Sequence, residues 1–488
     1  MLGEWESRSF DYLLCEAVPQ IFGVFDTDFW IPMLQLRETE PVLQHALSSL
    51  STVYEQYRRL PGTASRPESG NSNSKPKDLV GLRAWTLPMS PFGIQQYNKA
   101  IRLLTKDDQS NAPRSVSITL MACMIFVCLE FLRNNFTVGL KHLKSGLRIL
   151  DHLNDPQCAD HAIQRQPFDQ IIRNFYTRLD IQATVHGSAA SDYNLTAIAH
   201  WRSTLWHPLS FSSIGDAQTR LGEELCAIFQ FIRHRHDDPL PVGSRDCTSP
   251  TRYDDMDSDY SPWSSHETLI ENRRMNHLKH LDQWHAAFCS LVGTDAALTD
   301  HTQPHGHIIP LLFLYHDIAV LQLTAVTFKS ETEYDQFRPD FERMVANVWR
   351  VLQEFDATRS QAPVISFDMG LLAPLFFIAL KCRHLRTRRR AIGLMRLAPE
   401  REAMWVRDSI IEYSEWKLEQ EEAGRGGLDE DAVLPEESLI FGEKIAQVVV
   451  NGEKVRVLRF YKGAADALGA FRCEEIITNE SLNMGDFI

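Results

Sequence analysis

Apolar residues recur every three or four positions through most of this chain, the spacing that lines up one face of an α-helix. Phe10, Leu13, Leu14, Ala17, Val18, Ile21 and Phe22 form the first such stripe, with Ser7 or Ser9 placed to cap it. A second opens at Pro41, whose fixed φ suits a first helical turn. It carries Val42, Leu43, Ala46, Leu47, Leu50, Val53, Tyr54 and Tyr57 and stops at Pro61-Gly62. Ser90-Pro91 starts a third, bearing Ile94, Tyr97, Ala100, Ile101 and Leu104. From about 115 to 132 almost every residue is apolar, so that helix must be enclosed by others. Residues 138–153 set Leu140, Leu143, Leu147 and Leu150 opposite Lys141, Lys144 and Arg148, which makes the two segments a helical hairpin. Helix-length patterns follow at 267–291, 308–329, 338–355, 367–383, 388–395 and 401–421.

Two stretches lose this period. Residues 61–78, PGTASRPESGNSNSKPKD, hold no apolar side chain larger than alanine except proline and predict a flexible loop. Residues 236–265 are dominated by Asp, Ser and Pro and predict a second, disordered one. Near the C-terminus, KIAQVVVNGEKVRVLRF (444–460) places β-branched residues on both sides of Asn451-Gly452, the pair best suited to a type I′ turn, after an acidic loop, GGLDEDAVLPEES. The expected architecture is all-α: an irregular stack of antiparallel helix pairs with a small C-terminal β-hairpin. The expected divisions are an N-terminal helical region 1–235, the loop 236–265, a second helical region 266–421, and a tail 422–488.

Composition narrows the function classes. With 488 residues, 44% apolar and 23% charged, the chain is globular and long enough for two or three packed units. Its net charge of −14 repels a polyanion, so unaided DNA binding by the whole chain is disfavoured. The first residues show no basic region followed by an apolar stretch, so no secretory signal is expected and the chain is expected to stay inside the cell. The apolar runs 118–129, 308–328 and 369–380 are cut short or interrupted by charge, histidine or proline and read as core helices rather than membrane spans. Nine scattered cysteines, none in a C-x-x-C pair, suit a reducing compartment. Cys123 and Cys128 read as buried small apolar residues, and the sequons at Asn135, Asn194 and Asn479 as chance.

Candidate chemistry is sparse. His301, His305 and His307 are close enough to share a metal ion, yet their Pro- and Gly-containing loop fixes no ring. Arg233-His-Arg-His236 reads as the cationic end of a helix. The run KCRHLRTRRR (381–390) is either a nuclear-import or DNA contact or, given the apolar residues on both sides, a helix–turn–helix corner with a solvated cationic rim. Asp254-Asp255 lies in the expected loop and cannot be held for acid–base work. No phosphate-loop, dinucleotide, nucleophile-elbow or zincin motif occurs. No catalytic, cofactor-binding or metal residue is assigned, and the chain reads as a binding or scaffold protein rather than an enzyme.

Three segments carry a family resemblance. They are 10–55, with FDTDFW and EPVLQHA; 96–150, with QYNKAIRLL and LMACMIFVCLEFLRNNFTVGLKHLKSGLRIL; and 374–405, with PLFFIALKCRHLRTRRRAIGLMRLAPEREAMW. In order and spacing they resemble the regulatory region of fungal binuclear zinc-cluster transcription factors, among them regulators of secondary-metabolite gene clusters such as the aspercryptin cluster. The resemblance implies an all-helical regulatory body in the nucleus, coupled to a DNA-binding zinc cluster ahead of it. It also implies partners in the transcription machinery or a zinc-cluster factor, or a small-molecule effector, and makes 381–390 part of the helical body. The zinc is expected in the family, but the six closely spaced thiolates that hold it are absent from these residues. No ligand or DNA contact carries over, and no direct DNA binding or membrane association is expected. A helical scaffold without a nuclear role is the alternative.

Overall fold

The computed structural model describes residues 4–18, 27–59, 86–105, 116–154, 167–185, 210–237, 262–294, 308–358, 365–367, 369–423, 425, 429–450, 453–463 and 472–478. Within them the chain forms α1 (Glu4–Tyr12), α2 (Thr27–Leu36), α3 (Pro41–Arg59), α4 (Pro91–Thr105), α5 (Val116–Leu132), α6 (Phe136–Asn154) and α7 (Pro167–Val185). There follow α8 (Ile214–Asp237), α9 (Pro262–Thr294), α10 (Ile308–Ala325), α11 (Arg338–Thr358), α12 (Leu372–Lys381), α13 (Leu385–Met395) and α14 (Arg407–Glu422). Consecutive helices pack on each other (α3 on α4, α5 on α6, α7 on α8, α10 on α11, α12 on α13), which is the irregular stack of helix pairs that the periodicity predicts. Buried apolar residues from Leu13 to Phe460 form one connected cluster.

At the centre of the first half lies α5, buried on every side from Leu120 to Leu132. It turns into α6 through Arg133–Asn135, where Asn134 takes φ +62°, a left-handed residue ending the helix as asparagine can. The next pairing is equally tight. A Cβ on Gly146 of α6 would sit 2.2 Å from the Tyr176 ring of α7, and the buried Tyr176 hydroxyl donates to Leu120 O of α5 at 2.9 Å.

By length and composition α10 could cross a membrane, so its interruptions are a weaker exclusion than the sequence alone makes them. Its packing places it in the core, with Leu311, Leu314, Ile318, Leu321 and Leu323 buried and α8, α9, α11 and α12 around it.

Two small sheets complete the fold. The C-terminal one pairs β4 (Ile440–Val450) with β5 (Glu453–Lys462) in antiparallel register, Val450 opposite Glu453, as the expected hairpin requires; the turn residues 451–452 lie outside the described residues. A third strand, β6 (Arg472–Thr478), pairs with β5 and has no counterpart in the sequence reading.

The other sheet corrects an expectation. Residues 401–421 read as one helix, but α14 starts only at Arg407. Before it, β2 (Arg401–Glu402) and β3 (Trp405–Val406) form a tight antiparallel pair around Ala403, at φ +49°, with β1 (Ile365–Ser366) parallel alongside. The reason lies in its two adjacent charges. Successive strand side chains point to opposite faces, and here each reaches a different helix end. Arg401 donates to Phe131 O at 2.5 Å and to the Asn134 side chain, at the carbonyl end of α5. Glu402 accepts the backbone N–H groups of Leu371 (2.9 Å) and Leu372 (2.7 Å), at the start of α12. Cation at a C-terminus and anion at an N-terminus are the favourable pairings with the helix dipole.

Other boundaries moved too. The first stripe is not one α-helix, because α1 gives way to a π-turn at Leu13–Ala17, closed by Val18 N–H to Leu13 O, that keeps Leu13 and Ala17 buried. Ile21 and Phe22 lie outside the described residues. Helix α9 begins at Pro262, inside the stretch read as loop, using proline at its first position. Residues 61–78 and most of 236–265 also lie outside the described residues.

Candidate functional site

The run 381–390 forms the corner between α12 and α13, as the apolar flanks predict. The expected cationic rim is present in part: Arg386, Arg389 and Arg390 are exposed, while most of the run's charges also meet acids of the same chain. Lys381 meets Glu331 at 2.8 Å and Arg383 meets Asp335 at 3.2 Å, both acids on the 3-10 turn Glu331–Phe337. Arg386 pairs with Asp431 at 2.8 Å and Arg389 with Glu422 at 2.5 Å. Arg388 is 1% exposed and forms an ion pair with the equally buried Glu421, which also accepts the N–H of Ile440 at 2.9 Å. The acidic loop ahead of the hairpin lies along this corner. Its carbonyls at Ala432 and Glu430 accept the N–H groups of Leu385 and Arg386, which at the first turn of α13 have no partner within the helix. Acids of the same chain thus meet five of the run's cations, Lys381, Arg383, Arg386, Arg388 and Arg389, within the fold.

A half-open cleft lies among α7, α8 and α10, lined by Asn174, Arg178, Gln218, Leu225, Leu311 and Tyr315 among others. Asn174 donates to Thr219 at 3.1 Å, the Arg178 guanidinium lies 5.6 Å from the Phe175 ring centre, and Tyr315 donates to Gly370 O at 2.8 Å. Polar edges over an apolar floor suit a small amphipathic molecule. Its enclosed space of about 30 Å³ is that of a water rather than the several hundred Å³ of a drug-sized pocket.

Beside it, α8 and α9 bring three metal-competent groups together. Glu224 is buried, and its Oε1 lies 2.6 Å from His277 Nδ1 and 3.4 Å from His280 Nδ1. Burial pushes the Glu224 carboxyl up, but the hydrogen bonds from His277 and His280 outweigh it and hold the group at about 2. Trp284, one turn further along α9, donates to Ala217 O of α8 at 2.8 Å and fixes the relative height of the two helices. Sequence reading missed this trio. H-x-x-H at 277–280, two imidazoles on one helix face, is the signal that could have found it, although its carboxylate stands over 50 residues upstream.

The residues singled out by sequence contribute less. His301, His305, His307, Asp254 and Asp255 lie outside the described residues; 233–236 fall in the last turn of α8, as expected, with side chains outside the description. Cys123 and Cys128 are buried inside α5, and burial pushes the Cys123 thiol up to about 11, where it stays protonated. Apart from Cys123 and Cys128 on α5, the described cysteines lie on separate elements, and four of the six are buried, so this donor set does not fit a thiolate-bound pair of zinc ions.

The chain is similar to a protein named transcription regulator lscL of Purpureocillium lilacinum, at 27% identity over 130 residues, which are 27% of this chain and 28% of that protein. It is also similar to the aspercryptin biosynthesis cluster-specific transcription regulator atnN of Emericella nidulans, at 41% identity over 59 residues, 12% of this chain and 10% of that one. The matches span about a quarter and a tenth of these relatives' lengths. No family model matches the chain, and no solved structure matches it.

Proposed function

We propose that this chain is a helical regulatory region of the transcription-regulator type, acting in the nucleus through contacts with proteins of the transcription machinery or with a zinc-cluster factor. The observation that carries the reading is its similarity to two proteins named as transcription regulators. The fold is compatible with it: all three segments that resemble the family's regulatory region contribute to one connected core. The name of one relative supports a role in controlling a secondary-metabolite gene cluster. Protein contacts are favoured over a small-molecule effector because the cleft encloses so little space. No catalytic role is assigned.

The basic run favours one second reading. Five of its cations are paired with acids of the same chain, which weakens it as an import signal and favours the alternative of a helical scaffold without a nuclear role. Fusing the full chain to a heterologous DNA-binding domain and measuring a reporter in a fungal host separates the two. A change in reporter output relative to the DNA-binding domain alone is expected. An unchanged reporter, with the tagged chain excluded from the nucleus, would overturn the proposal.

A further inference from the structure

The strongest unassigned chemistry in the molecule is the meeting of α8 and α9 at Glu224, His277 and His280. One ligand atom from each lies within 4.8 Å of the others, and among the described residues this is the group of three so arranged. The two imidazole rings are 6.3 Å apart and nearly perpendicular, at 85°, so their nitrogens approach the carboxylate from different directions instead of stacking. A carboxylate with two imidazoles is the donor set of three-ligand zinc sites, which leave a fourth position for water.

We propose that Glu224, His277 and His280 bind a single zinc-type divalent cation that fastens α8 to α9. Zinc bonds of about 2.0–2.2 Å in a tetrahedron put neighbouring ligand atoms about 3.3 Å apart. The Glu224–His280 separation of 3.4 Å already has this value, while the 2.6 Å Glu224–His277 contact must open by less than an ångström. His277 can supply that movement because its side chain is partly exposed, at 19%, whereas Glu224 is fixed by burial. Both imidazoles would meet the ion through Nδ1, each neutral ring carrying its proton on Nε2. The mixed nitrogen and oxygen donors favour zinc over magnesium or calcium, which take oxygen ligands. This site is separate from the regulatory reading, and its test reads metal binding alone.

The experiment uses the full-length chain, stripped with a chelator and titrated with Zn²⁺ and then with Co²⁺ as a spectroscopic stand-in. One ion per chain is expected, with a rise in thermal midpoint and a Co²⁺ visible spectrum of low-coordinate intensity. His280→Gln keeps the closer Glu224–His277 contact and so the fold, as circular dichroism would verify. It should weaken Zn²⁺ binding by at least about 100-fold, the upper end of what loss of a mere supporting residue costs. Glu224→Gln should weaken it similarly. A control changing His301, His305 and His307 to Gln should bind as the parent does. Equal binding by parent and His280→Gln, loss of binding in the control instead, or no binding by the parent at micromolar Zn²⁺ would each overturn the proposal.

Discussion

Helix α5 and the corner from Lys381 to Glu422 both contribute to the core, and they are held in opposite ways. Around α5 the contacts are apolar on all sides; its one buried acid, Glu130, sits at the C-terminal end beside Arg133 (3.0 Å) and Asn135 (2.7 Å). The corner instead buries an Arg388–Glu421 ion pair and pairs most of a basic run with acids from three other segments. Burial of carbon tolerates small shape changes at modest cost, whereas a buried charge depends on one partner, and removing either leaves the other uncompensated in a poor dielectric. Rigidity in the two regions therefore has different sources, and substitutions should separate them.

The largest effect is expected at Arg388. Arg388→Ala leaves the buried Glu421 with only Lys417, at 4.0 Å, and the Ile440 N–H, and should cost about 3 kcal/mol, read as a lower urea midpoint; a loss no greater than that of a surface arginine would break the comparison. Next comes a pH effect at Glu402. Burial pushes its carboxyl from an ordinary 4.5 up to about 7, against the lowering pull of the Leu371 and Leu372 N–H groups. A raised carboxyl binds its proton more tightly in the folded state, so stability is fully present below about pH 4.5 and falls as pH rises toward 7. The span of about 2.5 pH units corresponds to about 3 kcal/mol. Glu402→Gln should flatten this slope relative to the parent between pH 5 and 7.5, and an unchanged slope would assign the pH dependence elsewhere.

On the apolar side, Gly146→Ala forces a methyl into the Tyr176 ring and should cost about 1–3 kcal/mol. Thermal unfolding measures it, and a neutral outcome would show that α6 and α7 can separate freely. The smallest effect is expected at Arg386, whose side chain is 57% exposed beside Asp431. Arg386→Ala should cost less than about 1 kcal/mol and nothing measurable in high salt.

Legibility in the sequence follows the same division. The enclosed helix at 116–132, the amphipathic one after it and the Asn-Gly hairpin were readable because apolar spacing and turn chemistry are local. The strands at Arg401–Glu402 and Trp405–Val406 were not, since two residues carry no period and their purpose lies in helices far away. Charge itself misled at Arg388: a basic run reads as solvated until its acids, 33 residues on in the case of Glu421, are folded against it. Helix α7 has no counterpart among the sequence expectations, although Ile172, Phe175, Tyr176 and Leu179 keep the helical spacing. The Glu224, His277 and His280 group joins residues 53 apart through helix packing, and only its H-x-x-H half was visible.

Arg401 closes the carbonyl end of α5 from 270 positions further along the polypeptide. A ribosome adding about 5–20 residues per second needs about 15–50 s to cover that interval. Throughout it the most apolar segment of the first half exists with its terminal carbonyl unanswered by that guanidinium. The nascent first half thus waits for its last fastening, and a host that supplies chaperones during that interval should yield more native protein than one that does not.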